Sequence, residues 1–439
     1  MPWDLAHAAL RAIYAILPIV YAGLLLHRAY KRRDRAAGRE LLGTSISALA
    51  IGTALAVVYA VAVGGRVRVD QALLAGLYFF AVLVVLKGLD AGVRAVVTRL
   101  LPARPEPATS PGNAPNRIAA LTAPAPTVPR KHRIVMHVSR AAVLLGVGLP
   151  YVMAAAMAYR PKVGLASDPL TDLNWRFEPV TFPATDGLRI SAWFIPAPPQ
   201  PAGTPADLAK HWARRTVICA HGLGANKLNQ LHMARAFHAR GWNVLALDFR
   251  AHGESAGQFS TFGDHERRDV LGAVRWLQRH RAADSERIVA VGASLGAAAS
   301  IAAAADDSDE GRAISGLCIY ATYADLGDLA RNICDTRLPP GTGWLAKRVA
   351  IPLASLHAGA DLSAFRPIDH LAKLGARPVF LVHGTRDVMI PVAHAHPLYA
   401  AAPGPRRLVE LDADHNAIID DEPTARAAAE FFDAPAAER

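Results

Sequence analysis

The sequence predicts an α/β domain, a mostly parallel sheet flanked by helices and carrying a small cap, preceded by an all-α transmembrane region. Three observations predict it. Beyond residue 175, short apolar runs alternate with longer segments of helical periodicity. Before residue 160 lie four long apolar runs beside clustered arginines. The formal charge of +11 falls wholly within Met1–Arg133, with 17 Lys and Arg against 6 Asp and Glu, whereas the rest carries 31 of each.

The strand runs are 215–220, 243–247, 287–291, 315–321, 378–382 and 407–411. They are apolar on both faces, as strands of a parallel sheet covered by helices on both sides must be. Helices are expected at 228–240, 265–280, 297–305, 392–401 and 424–432. Residues 180–194 look like a β-hairpin around Asp186-Gly187. Tyr323–Ala364 breaks the rhythm between the sixth strand and the next, which marks a cap insertion.

Chemistry concentrates at the ends of these strands. Arg287–Val291 runs into Gly292-Ala293-Ser294-Leu295-Gly296 and then a helical stretch. In G-x-S-x-G the serine sits on a sharp strand-to-helix turn that exposes its Oγ, and the next amide faces the attacked carbonyl. A serine hydroxyl needs a base to become a nucleophile. His415 follows the last strand, and Asp387 follows the strand before it, as Thr385-Arg386-Asp387. The chain order Ser294, Asp387, His415 suits a nucleophile, an orienting acid and a general base. His221-Gly222-Leu223-Gly224 ends the first buried strand, so the Leu223 and Leu295 amides are the candidate oxyanion hole.

On these residues the chain resembles the α/β-hydrolase superfamily, in its esterase and prolyl-oligopeptidase-like branch, over roughly Phe177–Phe432. Leu247–Ser255 is similar to that family's D-x-R-G-x-G-x-S loop, with Ala251 in place of a glycine. Pro367-Ile368-Asp369-His370-Leu371 also matches. Asp414 before the histidine and Ala297 after the elbow depart from the pattern. The resemblance implies a Ser294–His415–Asp387 triad acting on esters, thioesters or short peptides. No cofactor or metal is implied. In the cap, Leu338, Trp344 and Ile351 are substrate-pocket candidates, and His252 is a fourth.

Other residues compete for these roles. Asp412, Asp414, Asp420 and Asp421 crowd His415 in sequence and are rival acids, although a solvated acidic loop explains all four better. His221 and His383 each precede a glycine at a strand end, where a histidine holds a turn by hydrogen bonding. His394-Ala395-His396 lacks the acidic or cysteine partners of a metal site. The three cysteines have no disulfide spacing.

The apolar runs are Ala12–Leu26, Leu41–Val63, Ala72–Leu86 and Ala141–Tyr159, the last extended by Ile134–Arg140. About 20 residues cross a bilayer. The expected layout is three spans within residues 1–101, a Pro/Ala-rich basic linker at 102–133, a fourth span at 134–159, a tether at 160–174 and the hydrolase domain at 175–433. Six basic residues lie in His27–Glu40 and eight in Lys87–Arg133, against two in Gly64–Asp70. The positive-inside rule then places the hydrolase domain on the periplasmic or extracellular side of the cell membrane. The basicity belongs to membrane loops and implies no nucleic-acid partner. The expected partners are the lipid bilayer and a small acyl ester or lipid-like substrate. The expectation is a membrane-anchored serine hydrolase, with a peptidase on the same triad or a non-catalytic membrane sensor or scaffold as alternatives.

Overall fold

A computed structural model describes residues 162–199, 214–337 and 342–434, with isolated positions before them. The four apolar runs and the 102–133 linker lie outside the described residues, isolated positions aside. Among the described residues no helix is long and apolar enough to cross a membrane.

The strands are β1 (Glu178–Pro183), β2 (Arg189–Ile195), β3 (Arg215–Ala220), β4 (Asn243–Leu247), β5 (Arg287–Ala293), β6 (Ile314–Tyr320), β7 (Val379–Gly384) and β8 (Arg406–Leu411). They form one eight-stranded sheet in the order β1-β2-β4-β3-β5-β6-β7-β8. The pairs β1–β2 and β2–β4 are antiparallel, and the rest are parallel. This is the α/β-hydrolase fold. The main helices are α1 (Leu231–Ala239), α2 (Arg267–His280), α3 (Leu295–Ala304), α4 (Leu326–Arg337), α5 (Ile351–Ala358), α6 (Ala395–Ala401) and α7 (Glu422–Asp433).

Strand periodicity divides the core into two layers. Ile218, Ala220, Ile288, Ala290, Leu317, Ile319 and Leu381 face α2, α3 and α6. Their neighbours Val217, Cys219, Val289, Val291, Cys318 and Phe380 face α1 and α7. Every residue of β3, β4 and β7 is buried, while β1 and β8 at the edges keep exposed positions. Arg406, Arg407 and Glu410 on β8 carry charge that discourages pairing with another chain. The cap has its own core, in which Leu326, Leu329, Ile351, Ala354 and Phe365 pack against Ala298 and Ala302 of α3.

The tether is docked. Leu165, Leu173 and Trp175 pack against the α1/α7 layer, and Val163 is buried. The Trp175 ring lies 4.0 Å from the ring of His238.

The loop after β4 keeps its turn despite the substitution seen in the sequence. Ala251 takes φ +63°, a left-handed conformation natural to glycine. Arg250 next to it donates to Asp269 of α2 at 2.7 Å and to Asp186 of the hairpin turn at 2.8 Å. Asp269 is fully buried and Arg250 nearly so. Removing one partner of a buried pair strands the other charge, at about 3–5 kcal/mol. Arg250→Met is therefore expected to lower unfolding stability by about that amount, read as a shift in urea midpoint. A change under about 0.5 kcal/mol, ordinary for surface sites, would show that the guanidinium holds nothing there.

Candidate active site

Ser294 links β5 to α3 with φ +54° and ψ −116°, a conformation costing about 1–3 kcal/mol that surrounding structure must impose. Its N–H donates to Tyr320 O at 2.8 Å. Its carbonyl accepts from Thr322 Oγ1 at 2.9 Å and from Ala298 N at 3.1 Å. The glycines are sterically required. A Cβ on Gly296 would meet Ala220 O at 2.1 Å, and one on Gly292 would meet Gly296 C at 2.5 Å.

His415 Nδ1 lies 2.6 Å from Asp387 Oδ2. Asp387 Oδ1 accepts the amides of Met389 and Ile390, each at 2.8 Å. Burial disfavours the Asp387 carboxylate. The hydrogen bond and charge of His415, with the Ile390 and Met389 amides, outweigh burial and hold its pKa below the usual value. His383 Nε2 donates to Ile390 O at 2.8 Å and so fixes the turn that presents those amides. Burial keeps His383 neutral by lowering its pKa.

The rival acids are engaged elsewhere. Asp414 accepts from Asn416 N at 3.0 Å and Ala417 N at 2.9 Å, bracing the loop of His415. Asp421 caps α7 through Thr424 N, Asp412 pairs with Arg386 at 2.7 Å, and Asp420 lies 3.9 Å from His232.

The turn carrying Leu223 lies beside Ser294: a Cβ on Gly222 would be 3.5 Å from Ser294 Cβ. Two buried histidines grip it. His221 Nε2 accepts from Phe249 N–H at 3.0 Å, so the ring proton is on Nδ1, which donates to Gly222 O at 2.7 Å. His252 Nε2 accepts from Gly224 N–H at 3.0 Å, and its Nδ1 donates to Arg250 O at 2.8 Å. In a trans peptide the carbonyl and the following N–H point in opposite directions. Pinning the Gly222 carbonyl to His221 therefore points the Leu223 N–H away from that ring, and His252 pins the next peptide. Burial, with His252 and Lys227 nearby, pushes the His221 pKa well below that of free histidine.

Over 250 residues the chain is 30% identical to the uncharacterised protein YfhR of Salmonella typhimurium strain LT2, covering 54% of this chain and 74% of that one. The chain belongs to the YfhR family. The YfhR protein of Escherichia coli K12 is 28% identical over 242 residues, covering 55% of this chain and 74% of that one. The α/β-hydrolase domain-containing protein WAV2 of Arabidopsis thaliana is 28% identical over 265 residues, 59% of this chain and 79% of that one. Residues 200–348 match the model of the X-Pro dipeptidyl-peptidase S15 family. Among solved structures, the Pyrococcus furiosus esterase Pf2001 aligns with TM-score 0.49 and 25% identity, over 63% of this chain and 97% of that one.

In this YfhR-family chain the described pocket candidates occupy different settings. His252 braces the turn of Leu223, Ile351 is buried in the cap core, and Trp344 is 63% exposed. Leu338 lies outside the described residues. His394 is buried, and Ala324 N–H is directed at its Nδ1 at 3.4 Å, while His396 pairs at the surface with Glu410. Sequence reading missed Thr322, the Met389 and Ile390 amides, and Lys227. The Lys227 ammonium is fully buried and reaches Asp248 at 3.0 Å, Glu254 at 2.7 Å and Ser191 at 2.8 Å. The Asn226-Lys227 pair just after a glycine-rich strand end was the available signal.

Burial also lowers the pKa values of His238 and His394. In the unfolded chain these histidines, with His221 and His383, protonate near ~6.5. The folded state resists that protonation, so their contribution is fully present above pH ~6.5 and falls as pH drops toward their folded values. The urea midpoint is expected to fall between pH 7.5 and 5, with unfolding accompanied by proton uptake. A midpoint constant over that interval would contradict the neutral assignments.

Proposed function

We propose that this chain is a membrane-anchored serine hydrolase cleaving carboxylic esters through an acyl-enzyme. The observation that carries the reading is the Asp387–His415 hydrogen bond of 2.6 Å at the same sheet edge as the left-handed Ser294. Ser294 Oγ attacks the acyl carbonyl while His415 Nε2 takes its proton. Asp387 holds the Nδ1–H tautomer and stabilises the imidazolium. The oxyanion of the tetrahedral intermediate is received by the Leu223 and Leu295 amides. His415 then protonates the leaving alkoxide, and water releases the acyl group by the same steps in reverse. The four apolar runs and the charge asymmetry support anchoring, with the hydrolase domain outside the cytoplasm.

A second reading, a serine peptidase on the same residues, is favoured by the S15 match over residues 200–348. Its test is direct. Faster turnover of an X-Pro p-nitroanilide than of p-nitrophenyl esters would assign the peptidase.

Ser294→Ala is expected to abolish fluorophosphonate labelling and ester cleavage in a folded protein. Asp387→Asn should lower kcat about 10⁴-fold by freeing the His415 tautomer, while Asp414→Asn should cost far less. Undiminished labelling of Ser294→Ala, or a damaging Asp414→Asn beside a silent Asp387→Asn, would overturn these roles. For topology, alkaline phosphatase fused after Arg439 should be active and green fluorescent protein there dark. The reverse pattern would put the domain in the cytoplasm.

A further inference from the structure

The last apolar run ends at Tyr159, and the first described residue of the domain follows almost at once. Lys162 Nζ donates to Ser255 O, in the loop after β4. That loop lies at the carboxyl edge of the parallel strands, the edge that also carries Ser294, Asp387 and the Leu223 turn. From there the tether descends the α1/α7 face. Val163 is buried, Leu165 and Leu173 pack on that layer, and Trp175 reaches His238 near the end of α1. It enters β1 at Glu178, opposite Phe194 of β2, which is the other edge of the sheet. The chain therefore joins the domain at its catalytic edge.

Reach turns this into orientation. Three residues of extended chain cover at most about 10–11 Å. If residues 134–159 span the bilayer, the loop around Ser255 cannot stand farther from the interface than that reach plus the length of the Lys162 side chain. Lys162 supplies a cation at that level, where long basic side chains reach the interface from span ends. The same edge exposes apolar side chains beside the site: Val388, 76% exposed, and Met389, 40% exposed, follow Asp387 directly.

We infer that the catalytic edge faces the bilayer, with Val388 and Met389 at the lipid surface, and that the substrate is an ester held in that leaflet. The inference rests on the membrane-anchored reading above.

The test uses full-length protein in phosphatidylcholine vesicles. Val388→Cys on the catalytic edge and Ala283→Cys, exposed before β5 at the opposite edge, are each labelled with bimane. The native Cys219, Cys318 and Cys334 are buried. Spin-labelled phosphatidylcholine is expected to quench the label at 388 at least about twofold more than the label at 283. Equal quenching, or stronger quenching at 283, in protein that floats with the vesicles overturns the orientation. Protein that fails to float overturns the membrane reading itself, a separate outcome. Should Val388→Cys not fold, Met389→Cys takes its place with the same expectation.

Discussion

The backbone of Ser294 is the constraint on which the site depends. Its φ of +54° is unfavourable for an L-residue, and neighbouring strands must hold it there. Tyr320 O at the end of β6 takes its N–H, and Thr322 Oγ1 donates to its carbonyl. The start of α3 must come close enough to β3 that a Cβ on Gly296 would meet Ala220 O at 2.1 Å. The elbow is thus a property of three adjacent parallel strands, β3, β5 and β6, ending at one edge. Because β7 is parallel to them, the same edge receives Asp387. Sheet direction, more than any local signal, gathers Ser294 and Asp387 at one edge.

Charge is buried around the site in two ways. Asp387 stays ionised because two amides and His415 solvate it. Lys227 lies over the Trp193 ring at 4.9 Å and is held by Asp248 and Glu254. Buried ion pairs seldom add net stability over apolar packing, but losing one member is costly. Here the Lys227 cluster joins the loop after β3 to the loop after β4, as the histidine contacts of the Leu223 turn do a few ångströms away. The result is a turn whose peptides have little freedom to flip, as a preorganised hydrogen-bond donor requires.

Much of this architecture could be read in the sequence because its signals are local. The apolar strands were found within about two residues of their observed ends, and G-x-S-x-G is one turn. Asp387 is preferred in the sequence over Asp412, Asp414, Asp420 and Asp421 because it follows a strand end in the order Ser294, Asp387, His415, and each of those four has a different polar partner in the structure. His252 was read as a pocket residue, because a histidine in a loop near a site mouth suggests substrate contact. Its bond to Gly224 spans 28 residues and joins two loops, a relation that no local pattern carries. The same holds for Lys227 and Ser191, which the β2–β4 and β3–β4 pairings bring together.

The tether shows how a connection can carry structural information. As a proline-bearing stretch before a domain, residues 160–174 read as a spacer. A free spacer would let the domain tumble, whereas Val163, Leu165, Leu173 and Trp175 bury apolar surface along one face. Burying side chains of this size is worth roughly 1.5–3 kcal/mol each when complete. Four such side chains offset only part of the roughly 1–2 kcal/mol per residue that fixing the segment costs, and backbone hydrogen bonds such as Asp172 N to Asp168 O and Asn174 N to Leu170 O add to them. The aromatic contact of Trp175 with His238, at 4.0 Å, anchors the far end, and Lys162 on Ser255 anchors the near end. Pinned at both sheet edges, the tether from Lys162 to Trp175 keeps a fixed course over the α1/α7 layer.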